Sequence, residues 1–303
     1  MKILVTGSNG FIGSALTPFL AAGGHTVVRL LRSKPRPELN EVYWDPIRGT
    51  VDTFALGRVD AAVHLAGENI AKGRWNARKK ARIRDSRVNG TRLLSEALTR
   101  LSKPPAVMVC ASAIGYYGDR GDEVLREESA AGSGFLAEVC RQWEAAAEPA
   151  RKRGIRVVHL RNGVVLSPAG GALAQMLFPF RMGLGGRLGS GRQYLSWIAI
   201  DDLVAVIAHA LTNDTLQGPV NAVAPHPVTN LEFTRTLGRV LARPTLFPMP
   251  ALAARLAFGE MADELLLSSA RVEPTRLLAT GYQFRHPQLE GALRHLLGSA
   301  GKG

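Results

Sequence analysis

A short apolar run at the start of the chain passes through three spaced glycines into a segment with helical character. The run is Lys2–Thr6, the glycines are Gly7, Gly10 and Gly13, and the helical pattern covers Ser14–Ala22. In such a unit the first glycine permits a tight turn, the second lets the backbone approach a pyrophosphate, and the third lets helix and strand pack closely. The sequence therefore predicts a dinucleotide site at the N-terminus of this helix.

Phe11 and Ile12 lie inside the same turn and belong to the predicted cofactor site. The alternative is a glycine-rich turn in an ordinary α/β unit that binds no ligand. Pro18 falls within the predicted helix, where its ring and its missing N–H group are expected to cause a kink.

Apolar segments typical of strands alternate with helical patterns along the chain. The predicted strands are Lys2–Thr6, His25–Leu31, Ala61–Leu65, Val107–Ala111, Val157–Arg161 and Val220–Val223. The predicted helices are Ser14–Ala22, Trp75–Leu101, Gly134–Arg153 and Asp201–Leu211. Because the strands are short and continuously apolar, they indicate a parallel sheet covered on both faces. The pattern predicts an α/β fold with a Rossmann-type, doubly wound parallel sheet.

Two changes in composition divide the chain of 303 residues. The glycine-rich stretch 183–193 predicts a loop that is mobile or that another group approaches closely. This loop falls within insertions, at about 167–195, that we expect on the substrate side. Three prolines between Arg243 and Pro250 predict a linker. The predicted domains are a cofactor-binding domain, 1–245, and a small helical C-terminal domain, 251–299, with helices at Ala251–Arg271 and Gln288–Leu297. The second is too short to fold well alone, so it is expected to dock on the first.

The formal net charge of +13 favours anionic partners through long-range attraction. The basic residues are dispersed, and we find no zinc-ligand spacing, no RNA-binding signature and no basic tail, so neither a metal nor nucleic acid is predicted. No apolar run approaches the roughly 20 residues of a membrane span, and Met1 leads directly into a strand, so no signal peptide is expected. The two cysteines, Cys110 and Cys140, fit a reducing cytoplasm.

The second predicted strand ends on a base where an NAD site usually places an acid. No Asp or Glu occurs between Gly13 and Glu38, and Arg32 and Ser33 stand at the strand end. A guanidinium there can pair with a ribose 2′-phosphate, whereas a carboxylate holds the 2′-hydroxyl of NAD. The alternative is a solvated arginine. The sequence favours NADP(H) as the cofactor.

Small residues follow the third predicted strand. Leu65, Ala66, Gly67 and Glu68 occupy this position, where small side chains let an adenine and its ribose lie against the strand end. His64 precedes them inside an apolar run, and we expect an interior residue rather than a catalyst.

Ser112 follows the fourth predicted strand, and Tyr116 and Tyr117 lie in the next turn. Because ligands bind beyond the carboxyl ends of parallel strands, Ser112 is expected to bond to a substrate carbonyl or hydroxyl. Either tyrosine could donate a proton. The alternative is ordinary packing of a serine and an aromatic turn.

The helical segment after Trp75 is rich in Lys and Arg. Arg82 and Arg87 are the candidates to meet the cofactor pyrophosphate or an acidic substrate, and a solvated basic face is the alternative. Arg161, at the end of the fifth predicted strand, is a further candidate for the cleft.

These segments resemble the extended, epimerase-type branch of the short-chain dehydrogenase/reductase superfamily. The matching segments are Gly7–Gly13, Ala62–Gly67, Asn89–Leu94, Ala111–Ala113, Tyr116–Gly118, Ile198–Asp202 and Gly218–Ala222. A second set resembles the atypical subfamily called epimerase family protein, and comprises Leu65–Ile70, Arg74–Asn76, Pro179–Gly186, Gly259–Leu267 and Ala279–Phe284. The resemblance implies NADP(H) binding and a characteristic C-terminal domain, and it leaves the substrate open. A homodimer built on two helices follows only by analogy.

Two departures from the superfamily pattern bear on function. Its general acid/base is a Tyr followed four residues later by a Lys, and here Phe135 and Val139 take those places without a group that moves a proton. Leu195–Ser196 replaces the Arg-Asp pair that holds the diphosphate of UDP-sugars. We therefore expect an NADP(H)-binding oxidoreductase or epimerase-like protein that acts on a small anionic substrate, with Ser112 polarising the reacting oxygen. The alternative is a non-catalytic NADPH-binding or sensing protein.

Overall fold

The computed structural model describes residues 1–298 and shows helices packed on both faces of an eight-stranded sheet. The strands are β1 (Lys2–Thr6), β2 (Thr26–Leu31), β3 (Glu41–Asp45), β4 (Thr50–Val51), β5 (Ala61–His64), β6 (Val107–Ala113), β7 (Val124–Leu125), β8 (Arg156–Asn162), β9 (Val164–Leu166), β10 (Tyr194–Leu195), β11 (Trp197–Ala199), β12 (Gly218–Ala222), β13 (Val228–Thr229) and β14 (Arg271–Val272). The α-helices are α1 (Phe11–Ala22), α2 (Thr53–Leu56), α3 (Ala77–Thr99), α4 (Phe135–Ala145), α5 (Glu148–Lys152), α6 (Gly171–Arg181), α7 (Ile200–Thr212), α8 (Asn230–Leu241), α9 (Ala251–Phe258), α10 (Thr275–Ala279) and α11 (Leu289–Gly298).

The large sheet has the strand order β12-β8-β6-β5-β1-β2-β3-β4. All neighbours in it are parallel except β4, which pairs antiparallel with β3. From β1 the chain adds β2 and β3 on one side and then returns to add β5 on the other. The turn after β1 therefore opens at the switch point of the sheet, where ligands bind in this class of fold. The predicted Rossmann-type fold is confirmed.

Successive residues of β1 face the two helical layers. Ile3 and Val5 are fully buried in one apolar cluster with α1, and Leu4 is fully buried in the other with Leu94 of α3. Because both faces are covered, the strand has no solvent side, which explains its continuous apolar character. No helix within residues 1–298 has both the length and the apolar character that crossing a bilayer requires.

Several predicted boundaries change in the structure. The predicted helix Gly134–Arg153 is two helices, α4 and α5, with Pro149 in the first turn of α5. α1 begins at Phe11 and continues through Pro18, which is exposed. Strand β3, which lies between β2 and β4, was not predicted because it contains Glu41, whose carboxylate is buried between the guanidinium groups of Arg29 and Arg36.

The predicted single helix Ala251–Arg271 is wrong. α9 ends at Gly259, which has a φ of +63°, and a π-helical turn follows at Ala262–Leu267. Arg271–Val272 then forms β14, which pairs with β7. Glycine adopts positive φ without strain, so it can end the helix where the periodic pattern alone predicts continuation.

The C-terminal segment shares the core of the large domain. Leu277, Leu289, Leu293 and Leu296 are buried in the same apolar cluster as residues of β1 and α7. This agrees with the expectation that a segment of this size docks rather than folds alone. Its predicted last residue, 299, lies outside the described residues.

Glu264 in the π-helical turn connects the C-terminal segment to α4. Its carboxylate accepts hydrogen bonds from the backbone N–H groups of Phe135, at 3.0 Å, and Leu136, at 3.1 Å. Gly134, the N-cap of α4, makes no side-chain capping bond. Glu264, from a distant part of the chain, therefore supplies the hydrogen-bond acceptor that the N-terminus of α4 requires.

A buried hydrogen bond joins β1 and β5 through Thr6 Oγ1 and His64 Nδ1, which lie 2.7 Å apart. The same oxygen accepts from the N–H groups of Leu65 and Ala66, so the single hydroxyl proton goes to Nδ1. Burial lowers the pKa of His64 to about 4, and the imidazole is neutral at pH 7. His64 is thus an interior residue, as predicted.

The cap formed by Glu264 leads to a stability prediction. Glu264→Ala leaves two N–H groups of α4 without an acceptor, and we expect a loss of about 1–2 kcal/mol in the free energy of unfolding, measured with urea. Asp263→Ala is the matched control, because Asp263 pairs with Arg255 at the surface, where such pairs contribute about 0–1 kcal/mol. Equal losses in the two variants would contradict the cap.

His64 leads to a prediction about pH. Since its folded pKa lies below the roughly 6.5 of an unfolded histidine, the unfolded state binds the extra proton as pH falls from about 6.5 to 4. Stability should drop through that window by up to about 3 kcal/mol, at about 1.4 kcal/mol per pH unit. His64→Gln should remove this part of the acid sensitivity, and His226→Gln, at an exposed position, should retain it. Urea unfolding at several pH values checks both, and identical pH profiles for wild type and His64→Gln would exclude this role.

Candidate functional site

The turn after β1 passes so close to neighbouring backbone that it admits no side chain at two positions. A Cβ atom on Gly7, which has a φ of +69°, would lie 2.8 Å from Leu65 C and from Ala66 N. A Cβ atom on Gly13 would lie 2.2 Å from Gly7 O. Gly10 closes the turn by donating its N–H to Gly7 O at 2.9 Å. The turn with the three glycines is therefore closely packed, as the sequence predicted.

The N-terminus of α1 has unsatisfied donors beside this turn. Gly10 is its N-cap and makes no side-chain capping bond, and the first turn contains no acidic residue. The hydroxyl of Ser8 is buried without a hydrogen-bond partner within residues 1–298. Backbone N–H groups, a positive helix end and an unpaired hydroxyl fit a pyrophosphate, so the site suits a dinucleotide.

The side chains of Phe11 and Ile12 are committed to protein packing. The Phe11 ring covers Gly170 and Gly171, where added Cβ atoms would lie 2.7 and 2.9 Å from the ring. Ile12 packs against the main apolar cluster. Any part that these two residues take in cofactor binding therefore comes from their backbone N–H groups.

The strand end after β5 is held by the hydroxyl of Thr6. Leu65 N and Ala66 N lie 3.2 and 3.3 Å from its oxygen. Gly67 follows against the Arg87 guanidinium, whose Cζ would lie 3.4 Å from an added Cβ. The predicted adenosine-lining residues are thus brought beside the glycine turn.

Glu68 lies among several cations. Its Oε1 accepts from Lys79 Nζ at 2.7 Å and lies 3.5 Å from Arg82 Nε. The bond from Lys79 and the charges of Arg82 and Arg32 hold the pKa of Glu68 below its ordinary value, so the group is a carboxylate at pH 7. Sequence analysis missed Lys79, which is buried and also donates to Asn69 O at 2.6 Å.

Arg32 and Ser33 are exposed at the end of β2. Arg32 is close enough to Glu68 to affect its pKa, yet its guanidinium has no hydrogen bond or ion pair among the described residues. An arginine without a protein partner at this strand end can accept a phosphate without losing an existing contact.

Arg82 and Arg87, predicted together, have different surroundings. Arg82 is exposed beside Glu68. Arg87 donates to the carbonyl oxygens of Glu68 and Ile83, both at 3.1 Å, and stacks 5.0 Å from the Trp143 ring. We conclude that Arg87 supports the loop after β5 from beneath.

Ser112 is buried at the end of β6 and belongs to a charged network. Its hydroxyl donates to Glu144 Oε1 at 2.7 Å. The same carboxylate forms a bidentate pair with Arg161, whose Nε and Nη2 both lie 2.9 Å from it. Glu144 lies on α4 and was not identified from the sequence. The sequence feature that could have identified Glu144 is a charged residue on the inner face of the helix that packs beside Ser112.

The network corrects the roles predicted for two residues. Arg161 is buried and donates to Glu144, Tyr117 and Glu127 O, so its guanidinium is used within the protein and not by a phosphate. The Tyr117 hydroxyl accepts from Arg161 at 2.9 Å and donates to Asn221 at 2.7 Å. Burial raises the pKa of Tyr117 to about 12. A buried phenol whose proton is already bonded is a poor donor to a ligand.

Tyr116 is half-buried, and Arg161 Cζ lies 3.5 Å from its ring. This cation–π contact fixes the ring beside Ser112's network. Of the two tyrosines, Tyr116 is the one that retains partial exposure to solvent.

The positions assigned to the missing Tyr and Lys hold apolar groups. Phe135 packs edge-on against Trp75 with centroids 5.4 Å apart, and Val139 is buried. Burial raises the pKa of the neighbouring Cys140 thiol to about 12, so it is not a nucleophile at pH 7. The side chains at these two positions therefore lack the proton-moving groups of the superfamily pattern.

Comparison with known proteins agrees with this architecture along the whole chain. The protein MT2273 of Mycobacterium tuberculosis, named as an epimerase family protein, is 48% identical over 291 residues, which cover 96% of each chain. The crystal structure of human epimerase family protein SDR39U1 (isoform 2) with NADPH matches with a TM-score of 0.90 and 39% identity, covering 98% of this chain and 99% of that one. A nucleoside-diphosphate sugar epimerase from Corynebacterium glutamicum matches with a TM-score of 0.82 and 40% identity, covering 99% of this chain and 58% of that one.

Two family models divide the chain between them. Residues 249–296 match a domain of unknown function, DUF1731, and this range contains the docked C-terminal segment. Residues 3–223 match the NAD dependent epimerase/dehydratase family, and this range contains the glycine turn, Arg32, Ser112 and Glu144. The chain therefore belongs to the NAD-dependent epimerase/dehydratase family, as the sequence resemblance indicated.

Proposed function

We propose that this protein binds NADP(H) and transfers a hydride to or from a small anionic substrate. The observation that carries the cofactor choice is Arg32 at the end of β2, whose guanidinium has no hydrogen bond or ion pair in the described part of the chain, residues 1–298. The human relative, at 39% identity, was crystallised with NADPH, which supports the same choice. The net charge of +13 supports an anionic substrate.

Each part of the cofactor has residues suited to it. The glycine turn and the first N–H groups of α1 would bind the pyrophosphate, and Arg32 would pair with the 2′-phosphate. Leu65–Gly67 would line the adenosine. Bound NADP(H) supplies the hydride donor or acceptor, and the chain supplies orientation and proton transfer.

The pair of Ser112 and Glu144 provides a proton route that does not need Tyr and Lys. Because the Ser112 proton points to Glu144, the lone pairs of its oxygen can accept a proton from a substrate hydroxyl. As that proton arrives, the Ser112 proton would move to the Glu144 carboxylate. In the opposite direction Glu144 returns the proton and Ser112 donates to a carbonyl oxygen. Arg161 would hold Glu144 in place throughout.

A non-catalytic NADPH-binding or sensing protein is the second candidate. It is favoured by the absence of any Tyr or Lys from α4. In this case the glycine turn and Arg32 would bind the cofactor, and the network around Ser112 would only stabilise the fold. For either candidate we also propose a homodimer and a cytoplasmic location.

Calorimetry tests the cofactor choice. Wild type should bind NADPH more tightly than NADH, and Arg32→Ala should weaken the binding of NADPH and leave the binding of NADH unchanged, because a charge-assisted pair contributes about 1.5–3 kcal/mol, or roughly 10- to 150-fold in affinity. Lys34→Ala is the control, since Lys34 is an exposed cation two positions away. Equal affinity of wild type for the two cofactors would refute the role of Arg32.

Transfer of label from stereospecifically deuterated NADPH to a panel of carbonyl compounds tests the chemistry. Ser112→Ala and Glu144→Gln should each lower the rate by about 100-fold or more, whereas Tyr116→Phe should leave it nearly unchanged. NADPH affinity of the same preparations shows whether each variant is folded. A large loss of rate in Tyr116→Phe alone would identify Tyr116 as the proton donor. No transfer by wild type to any compound would favour the sensing protein.

A further inference from the structure

A group of side chains that can ligate a metal lies where α11 meets α7, in a part of the fold that the cofactor site does not use. Asp201 is in the first turn of α7, His286 precedes α11, and His295 is on α11. One ligand atom from each lies within 4.8 Å of the other two. His295 Nε2 is 3.0 Å from Asp201 Oδ2, and the two imidazole rings stack with centroids 4.2 Å apart.

The neighbouring residue Asp202 holds two of these groups together. Its fully buried carboxylate accepts from Arg285 N at 2.8 Å and from His286 N at 3.0 Å. Tyr282 adds a hydrogen bond from its hydroxyl to Asp202 O at 3.0 Å. The backbone of His286 is thereby fixed to the first turn of α7, which carries Asp201.

His295 is fixed by the packing of its own helix. Leu289, Leu293 and Leu296 on the inner face of α11 are buried in the main apolar cluster. His295 lies on the outer face with its side chain 44% exposed, and the side chain of Asp201 is 41% exposed. The three groups are therefore held by rigid elements and can still be reached by an ion and by water.

The chemistry of this group suits a transition-metal cation. The two imidazole rings and the Asp201 carboxylate each offer a ligand atom of a kind that transition metals bind. Two histidines and one carboxylate form a three-ligand set that Zn²⁺ occupies with water in the fourth position. Mg²⁺ prefers six oxygen ligands in octahedral geometry, so a site with two imidazoles disfavours it.

We propose that Asp201, His286 and His295 form a Zn²⁺ site that links the C-terminal segment to α7. Tetrahedral metal–ligand bonds of about 2.0–2.2 Å place ligand atoms about 3.3–3.6 Å apart, so binding requires the three side chains, whose ligand atoms now lie within 4.8 Å of one another, to adjust. Asp201 is far from the two histidines in the sequence, which is why no zinc spacing is visible there. The site is separate from the glycine turn, so the proposal does not depend on NADP(H) binding.

The experiment uses the full chain after treatment with a chelator and its removal. Titration with Zn²⁺ in a calorimeter should show one ion per chain, and Zn²⁺ but not Mg²⁺ should raise the melting temperature. His286→Ala and His295→Ala should each weaken Zn²⁺ binding by about tenfold or more. His226→Ala, an exposed histidine elsewhere, is the matched control and should bind as wild type does.

Two further measurements separate ligation from folding. Co²⁺ in place of Zn²⁺ should give visible absorption bands of a low-coordinate site, and His286→Ala should remove them. Asp201→Asn keeps a side chain that can bond to His295 but removes the anionic ligand, so it should fold normally and still lose affinity for Zn²⁺. The proposal is overturned if wild type binds no stoichiometric Zn²⁺, or if His286→Ala and Asp201→Asn bind it as wild type does.

Discussion

The approach of the backbone at Gly7 and Gly13 to the ends of β1 and β5 is the constraint on which the rest of the structure depends. An added Cβ at either position would overlap backbone atoms, which cannot move aside as a flexible side chain can. This contact seats α1 at the switch point of the sheet. It also leaves the first N–H groups of α1 open beside β5, where the hydroxyl of Thr6 fixes the strand end.

Burial of charge decides which side chains pair with one another around Ser112. The carboxylate of Glu144 is nearly enclosed, and the bidentate contact with Arg161 compensates its loss of solvation. Through the same carboxylate the Ser112 hydroxyl is given a direction. The guanidinium that balances this charge is then unavailable to a ligand. Arg32, in contrast, is exposed and has no hydrogen bond or ion pair within residues 1–298.

The C-terminal segment is part of this arrangement and not an appendage. Leu293 and Leu296 complete the apolar cluster beneath α7, and Glu264 caps α4, the helix that carries Glu144. Loss of the segment would therefore disturb both the core and the orientation of the catalytic candidate. Asp202 makes the second connection, by binding the backbone before α11.

Local pattern was enough to predict the alternating strands and helices, the glycine turn and the base at the end of β2. Their causes are local, since steric limits at Gly7 and continuous burial of β1 are visible in residue type and spacing. Strand β3, the break at Gly259 and the partner of Ser112 were decided by tertiary structure. Glu41 is tolerated in a strand only because two arginines reach it. Glu144 faces Ser112 because α4 packs against β6 and because Arg161 of β8 pairs with its carboxylate. Such contacts join residues distant in sequence, and no spacing along the chain records them.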